Sequence, residues 1–315
     1  MSKLDKIEEL QEFLREDQSN FQARRQLAVL LLDTGFSEEA LQHFLYLSRI
    51  FPNDSGIFYN LGIVYEKLKN LDKAEISYLK AIEFSPEEVD AMYNLGLVYI
   101  DRKEYDKAID CFEKVLEKDS DDSNAYFSIG LSYFKQGKAD AAQYYFQRTI
   151  ELNDDDIYAH FYIGNILKDK GNSQEASEKF KKVLELSPDY SWAYFNLAVI
   201  DYENGNINGA VQKLQKTLEL NPKDNDAYKI YSKILIKEEM FDNAEDVLNQ
   251  AINYCGANGD LYYILAQVYK NKENYKEYEK QMNLALKNHQ TLTAVPKAVK
   301  AEFDNYTKNK TSSRA

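Results

Sequence analysis

The sequence repeats itself every 34 residues, and that period constrains the fold more than any other feature. YNLGIVYEKLKNLDKAEISYLKAIEFSP from Tyr59 aligns with YNLGLVYIDRKEYDKAIDCFEKVLEKDS from Tyr93. FSIGLSYFKQGKADAAQYYFQRTIELND follows from Phe127, and FYIGNILKDKGNSQEASEKFKKVLELSP from Phe161. Counted from Phe21, the frame runs without insertion or deletion to Leu292. It gives eight repeats at 21–54, 55–88, 89–122, 123–156, 157–190, 191–224, 225–258 and 259–292. In such an array each repeat covers the apolar face of its neighbour.

Within a repeat, apolar residues fall at helical spacing. Leu95, Val98 and Tyr99 form one stripe; Ile109, Phe112, Val115 and Leu116 form a second. This predicts two amphipathic helices per repeat, A and then B. Breakers such as Lys135-Gln136-Gly137-Lys138 separate them. Pro52, Pro86, Pro188 and Pro222 close B helices, because the residue before a proline is pushed out of the helical region.

Position 8 of the repeat is small throughout: Ala28, Gly62, Gly96, Gly130, Gly164, Ala198, Ser232 and Ala266. Position 20 is alanine from Ala40 to Ala244, and position 24 is Phe44, Tyr78, Phe112, Phe146, Phe180, Leu214, Leu248 or Met282. Small residues at positions 8 and 20 let paired backbones approach closely. This pattern resembles the tetratricopeptide-repeat (TPR) family over 21–292. The resemblance implies an all-α fold, a right-handed α-α superhelix of helix-turn-helix repeats. Two residues depart from the pattern. Arg24 stands where a large apolar residue is usual, and Tyr278 replaces alanine at position 20, so the last helix pair is expected to splay.

Residues 1–20 fit the second half of a repeat, with Leu4, Ile7, Leu10, Phe13 and Leu14 along one stripe, and predict an N-terminal capping helix. Residues 293–315 begin like another A helix through Val295, Val299 and Phe303, but Lys300 occupies position 8. No second helix packs closely on such a residue, so this segment resembles the solvating helix that closes many TPR arrays. A polar tail is expected from Asn309.

Composition narrows the function. Net charge is -13, which argues against nucleic acid and against an anionic membrane surface. Cys111 and Cys255 form no paired motif and read as small hydrophobes in a reducing compartment. The N-terminal MSKLDKIEEL lacks an apolar core, and no stretch approaches the roughly 18 apolar residues of a membrane span, so a cytoplasmic protein is expected.

His43, His160 and His289 share no metal-ligand spacing, and no nucleophile elbow, P-loop or dinucleotide fingerprint occurs. The acidic runs 119–122 and 154–156 lack EF-hand order and read as helix-flanking turns. No catalytic residue, metal or cofactor is expected, and the chain is not expected to be an enzyme.

In the TPR family the A helices line a concave groove through positions 2, 5, 6, 9, 12 and 13. Position 6 here holds Asn60, Asn94 and Asn196, with Ser128 between them and a break at Tyr162. An asparagine amide both donates and accepts, so it can pair with any peptide backbone. The pattern is similar to the asparagine ladder of the O-linked N-acetylglucosamine transferase repeat domain. Aromatic candidates are Phe127, Phe134, Tyr158, Phe161, Trp192, Phe195 and Tyr202; Tyr158 and Trp192 occupy position 2, which ordinarily faces solvent. The family's lysine clamp for acidic C-termini is absent, since Lys229, the sole lysine at position 5, is followed by Lys233 and Ile264. The expected function is a non-catalytic scaffold that binds an extended peptide or partner protein in the groove. The alternatives are a self-associating structural subunit and the non-catalytic partner of an enzyme such as a glycosyltransferase.

Overall fold

A computed structural model describes residues 2–312 of the chain. The chain divides into two compact units, Met1–Ala159 and His160–Ala315. The first holds α1 (Lys3–Glu16), α2 (Phe21–Asp33), α3 (Ser37–Ile50), α4 (Ser55–Lys67), α5 (Leu71–Phe84), α6 (Val89–Asp101), α7 (Tyr105–Lys118), α8 (Ser123–Lys135) and α9 (Ala139–Leu152). The boundary falls within α10 (Ile157–Asp169). The second then holds α11 (Ser173–Leu186), α12 (Ser191–Glu203), α13 (Ile207–Leu220), α14 (Asn225–Lys237), α15 (Phe241–Cys255), α16 (Gly259–Asn271), α17 (Tyr275–Lys287) and α18 (Pro296–Ser312). A 3-10 turn at His289–Thr291 precedes α18. Among the described residues there is no strand.

The even-numbered helices from α2 to α16 begin 34 residues apart, as do the odd-numbered ones from α3 to α17. Contacts in each unit run mainly between consecutive helices. Local chemistry sets the starts. Asn20, Asp54, Asn70, Asp122 and Asp224 each accept a backbone N–H three residues on, satisfying a donor with no partner inside the helix. Asp156 does the same for Ala159 at 2.7 Å. Two acidic-run residues, Asp122 and Asp156, are therefore helix caps. The turn from each A helix to its B helix passes through one residue with φ between 56° and 90°. Glycine fills it at Gly35, Gly137, Gly171 and Gly205, where the left-handed region carries no Cβ penalty. Lys69, Lys103, Glu239 and Glu273 fill the other four.

The core repeats with the helices. Phe44, Tyr78, Phe112, Phe146 and Phe180 are fully buried, and each such ring contributes about 1.5–3 kcal/mol on leaving water. In the glycine-bearing pairs the ring lies directly against position 8. A Cβ on Gly96 would sit 2.6 Å from the Phe112 ring, and one on Gly130 would sit 2.9 Å from Phe146.

Three expectations need correction. The last helix pair does not splay: Tyr278 is wholly buried, and α16 packs on α17 as extensively as other pairs do. The ring finds room because it turns toward α18, meeting Tyr306 edge-on at 4.8 Å and Phe303 at 6.2 Å. Val295 belongs to no helix and is 64% exposed; α18 starts one residue later, with Val299 buried and Phe303 packed at its side. The tail expected from Asn309 continues α18 to Ser312, and residues 313–315 lie outside the described residues. Arg24 keeps its place by stacking over the Tyr46 ring at 4.2 Å, beside His43 Nδ1 at 3.3 Å.

Candidate binding faces

In the first unit, the aromatics at position 5 serve packing. Tyr59 lies 6.1 Å from Tyr78, Tyr93 5.2 Å from Phe112, and Phe127 5.4 Å from Phe146. Two of the position-6 side chains, Asn94 and Ser128, are tied to them, and Asn60 bonds within its own helix. Asn94 Nδ2 donates to Tyr59 Oη at 3.4 Å, Tyr93 Oη and Ser128 Oγ share a bond at 3.0 Å, and Asn60 Nδ2 donates to Gly56 O at 2.6 Å. A donor of each asparagine is thus committed within the protein. Both asparagines remain partly exposed. Phe134 is partly buried, and Tyr158 is 57% exposed with its ring 6.4 Å from Phe127.

Carboxylates gather near this face. Burial and then the Asp90 charge push the Tyr59 hydroxyl above its ordinary value, with Glu88 and Glu66 adding to it. Burial raises Glu66, which accepts a bond from Tyr78 Oη, and Asp101 raises it further.

In the second unit, Asn196 is buried. Its Nδ2 donates to Trp192 O at 2.9 Å and its Oδ1 accepts from Lys168 Nζ at 2.5 Å. Asn196 is therefore withdrawn from any ligand backbone. Phe161 is wedged between Phe180 and Tyr190, at 5.9 and 5.3 Å. Phe195 and Tyr202 are partly buried, with Lys237 over the Tyr202 ring at 5.2 Å. Trp192 is 56% exposed.

A cavity of about 540 Å³ opens beside Phe195, Lys229, Lys233 and Tyr263. Partial burial opposes the Lys229 charge, but Asp226 at 2.7 Å and Asp260 at 3.6 Å outweigh it and raise its pKa. Asp260 also accepts from Thr293 N and Thr293 Oγ1, both at 2.6 Å. The contacts of Asp260 with Lys229 and Thr293, and the Lys168–Asn196 bond, are not legible in the sequence, because these partners lie 28 or more residues apart and the repeat consensus does not specify them.

Burial pushes the Cys111 thiol up to about 11, consistent with a packed hydrophobe. No described helix is long and apolar enough to cross a membrane. Among the described residues no three His, Cys, Asp or Glu side chains converge as metal ligands.

Comparison with known families places these faces in context. Three tetratricopeptide-repeat models match, at residues 56–88 and 89–122, 127–191, and 167–234, together more than half of the chain. No curated protein sequence matches. Among solved structures, MamA 41-end from Desulfovibrio magneticus RS-1 is similar at 26% identity, covering 55% of this chain and 97% of that one, with a TM-score of 0.52. A tetratricopeptide repeat protein from Parabacteroides merdae aligns at 14% identity over 79% of this chain and 97% of its own, with a TM-score of 0.59. The APC/C hetero-tetramer Cut9-Hcn1 aligns at 16% identity, over 84% of this chain and 52% of that one, also with a TM-score of 0.59. The last two show a shared fold.

Proposed function

The chain belongs to the tetratricopeptide-repeat family, and on that premise we propose that it is a non-catalytic scaffold whose A-helix faces hold an extended segment of a partner protein. The observation that carries this reading is Trp192, a large aromatic left 56% exposed on α12. An exposed tryptophan costs water contacts that a partner's apolar side chain would relieve, and such residues are favoured anchors at interfaces. Tyr158 offers a separate anchor in the first unit. Asn60 and Asn94 keep acceptor oxygens for a peptide N–H, so the likeness to an asparagine ladder is confined to them.

Affinity capture with the full chain and with Trp192→Ala tests the proposal. Trp192→Ala changes stability by less than about 0.5 kcal/mol, as expected of an exposed site, and loses captured partners. Identical capture by both proteins removes Trp192 from the site. Turnover by the pure protein overturns the non-catalytic reading.

A further inference from the structure

The charge of this chain is not shared between its two units. Residues 1–159 carry 18 Lys and Arg against 31 Asp and Glu, a net charge of -13, whereas residues 160–315 carry 21 of each. The whole excess of negative charge therefore lies on the first unit. A net charge of this size steers association toward cations and away from anions.

The A helices of that unit also carry an aliphatic row. Val29, Ile63, Leu97 and Leu131 occur once per repeat, on α2, α4, α6 and α8. Val29 is 38% exposed, and the other three are only partly buried. Each lies three residues after a position-6 side chain and so shares its helix face with Gln26, Asn60, Asn94 or Ser128. Acids flank the row. Asp33, Asp90 and Asp101 are exposed, and Glu66 is partly buried. Asp33 has a loose, exposed contact with Lys3 at 3.5 Å. Of the cations on this face, Arg25 is tied up by both oxygens of Asp54, Lys6 beside Val29 and Asp33 pairs with Glu9 at 2.8 Å, and Lys67 Nζ reaches Leu32 O at 3.5 Å. Lys135 stands at the far end, on α8.

We infer that the A-helix face of the first unit takes an extended, cationic polypeptide segment, with aliphatic side chains seated on the Val29–Leu131 row and Lys or Arg side chains meeting Asp90 and Asp101. The inference rests on the scaffold reading above and adds the partner's chemistry to it. Successive A helices are bridged by side chains rather than packed backbone to backbone. Their step is no shorter than the roughly 10 Å of packed helices, and an extended chain advances about 3.3 Å per residue, so the segment presents an apolar residue about every third position at closest. Basic residues in the remaining positions lie along the acidic margin.

The test uses the full chain and three pools of short labelled peptides. All carry Leu or Ile at every third position, with the intervening residues basic, neutral or acidic. Anisotropy is read at low and moderate salt. The basic pool binds about tenfold tighter than the neutral one, and its affinity falls several-fold between about 50 and 300 mM salt as exposed charges are screened. Asp90→Asn with Asp101→Asn, both exposed and uninvolved in packing, weakens the basic pool by about two- to tenfold and leaves the neutral pool unchanged. Leu97→Ser weakens both pools, with helicity checked by circular dichroism. Equal binding of the neutral or acidic pool, or an unchanged basic pool in the double asparagine variant, overturns the inference and leaves the scaffold reading standing. Failure of every pool to bind overturns both for this face.

Discussion

Tyr99 Oη donates to Glu75 Oε1 at 2.9 Å, reaching from α6 back to α5 of the preceding repeat. Arg102 Nη1, one turn further on, holds Glu75 Oε2 at 2.5 Å and Asp72 at 3.1 Å. The same latch recurs 170 residues later, where Tyr269 meets Glu245 at 2.7 Å and Lys272 holds Glu245 at 2.5 Å. Burial, and then the bond to Glu245, push the Tyr269 hydroxyl up to about 12. Each latch joins two successive repeats through side chains that lie at the same repeat positions.

Tyr99→Phe removes the hydroxyl from one latch while keeping the buried ring. The expected loss is about 1 kcal/mol in chemical denaturation, because Arg102 still neutralises Glu75. Unchanged stability would mean the bond contributes nothing net.

Gly96→Ala forces a methyl against the Phe112 ring and costs about 1–3 kcal/mol. Phe112→Leu in the same chain recovers part of that loss. Later repeats already pair alanine or serine with a slimmer residue: Ala198 with Leu214, Ser232 with Leu248, and Ala266 with Met282. Ala28 with Phe44 is the exception. The readout is the coupling energy of the double-mutant cycle, and strict additivity contradicts the packing account.

Lys103→Gly is expected to stabilise the chain by about 1 kcal/mol. Lys103 sits at φ 62°, a left-handed conformation that strains an L residue. Its N–H donates to Ile100 O at 2.9 Å, a bond glycine retains. Gly137→Ala, at φ 75°, shifts the melting temperature the other way.

Glu302 anchors α18. Burial opposes its charge, but donors from Lys270, Tyr263 and Gln267 outweigh it and hold its pKa below the ordinary 4.5. A lowered folded-state pKa means the stabilisation is complete above the unfolded value. It is lost as pH falls below about 4.3 and through the depressed folded value. Protection of α18 against hydrogen exchange, taken relative to the intrinsic exchange rate at each pH, should therefore fall on acidification, and Glu302→Gln should show reduced protection already at neutral pH. Protection that does not change with pH in the native chain would refute the anchor.

The candidate site was less legible than the fold. Trp192 and Tyr158 could be marked from their position alone, because position 2 turns away from the helix contacts of the repeat and both side chains are indeed exposed. Phe161, a candidate at position 5, is wedged between Phe180 and Tyr190. Exposure of an aromatic depends on which rings its neighbours present, and those come from other helices.

By itself the sequence determined the helix order, the spacing of helix starts and which repeat positions are small and which are large. Each of these is a local or once-per-repeat property, and one period specifies it many times over. Only the tertiary structure decided which polar side chains still face outward. Asn60, Asn94 and Asn196 share one repeat position, but Lys168 and Trp192 O take both ends of Asn196 and bury it, while the other two stay partly exposed. The physical reason is that hydrogen bonding of a side chain is settled by partners on neighbouring helices, and these partners differ from repeat to repeat where the packing residues do not.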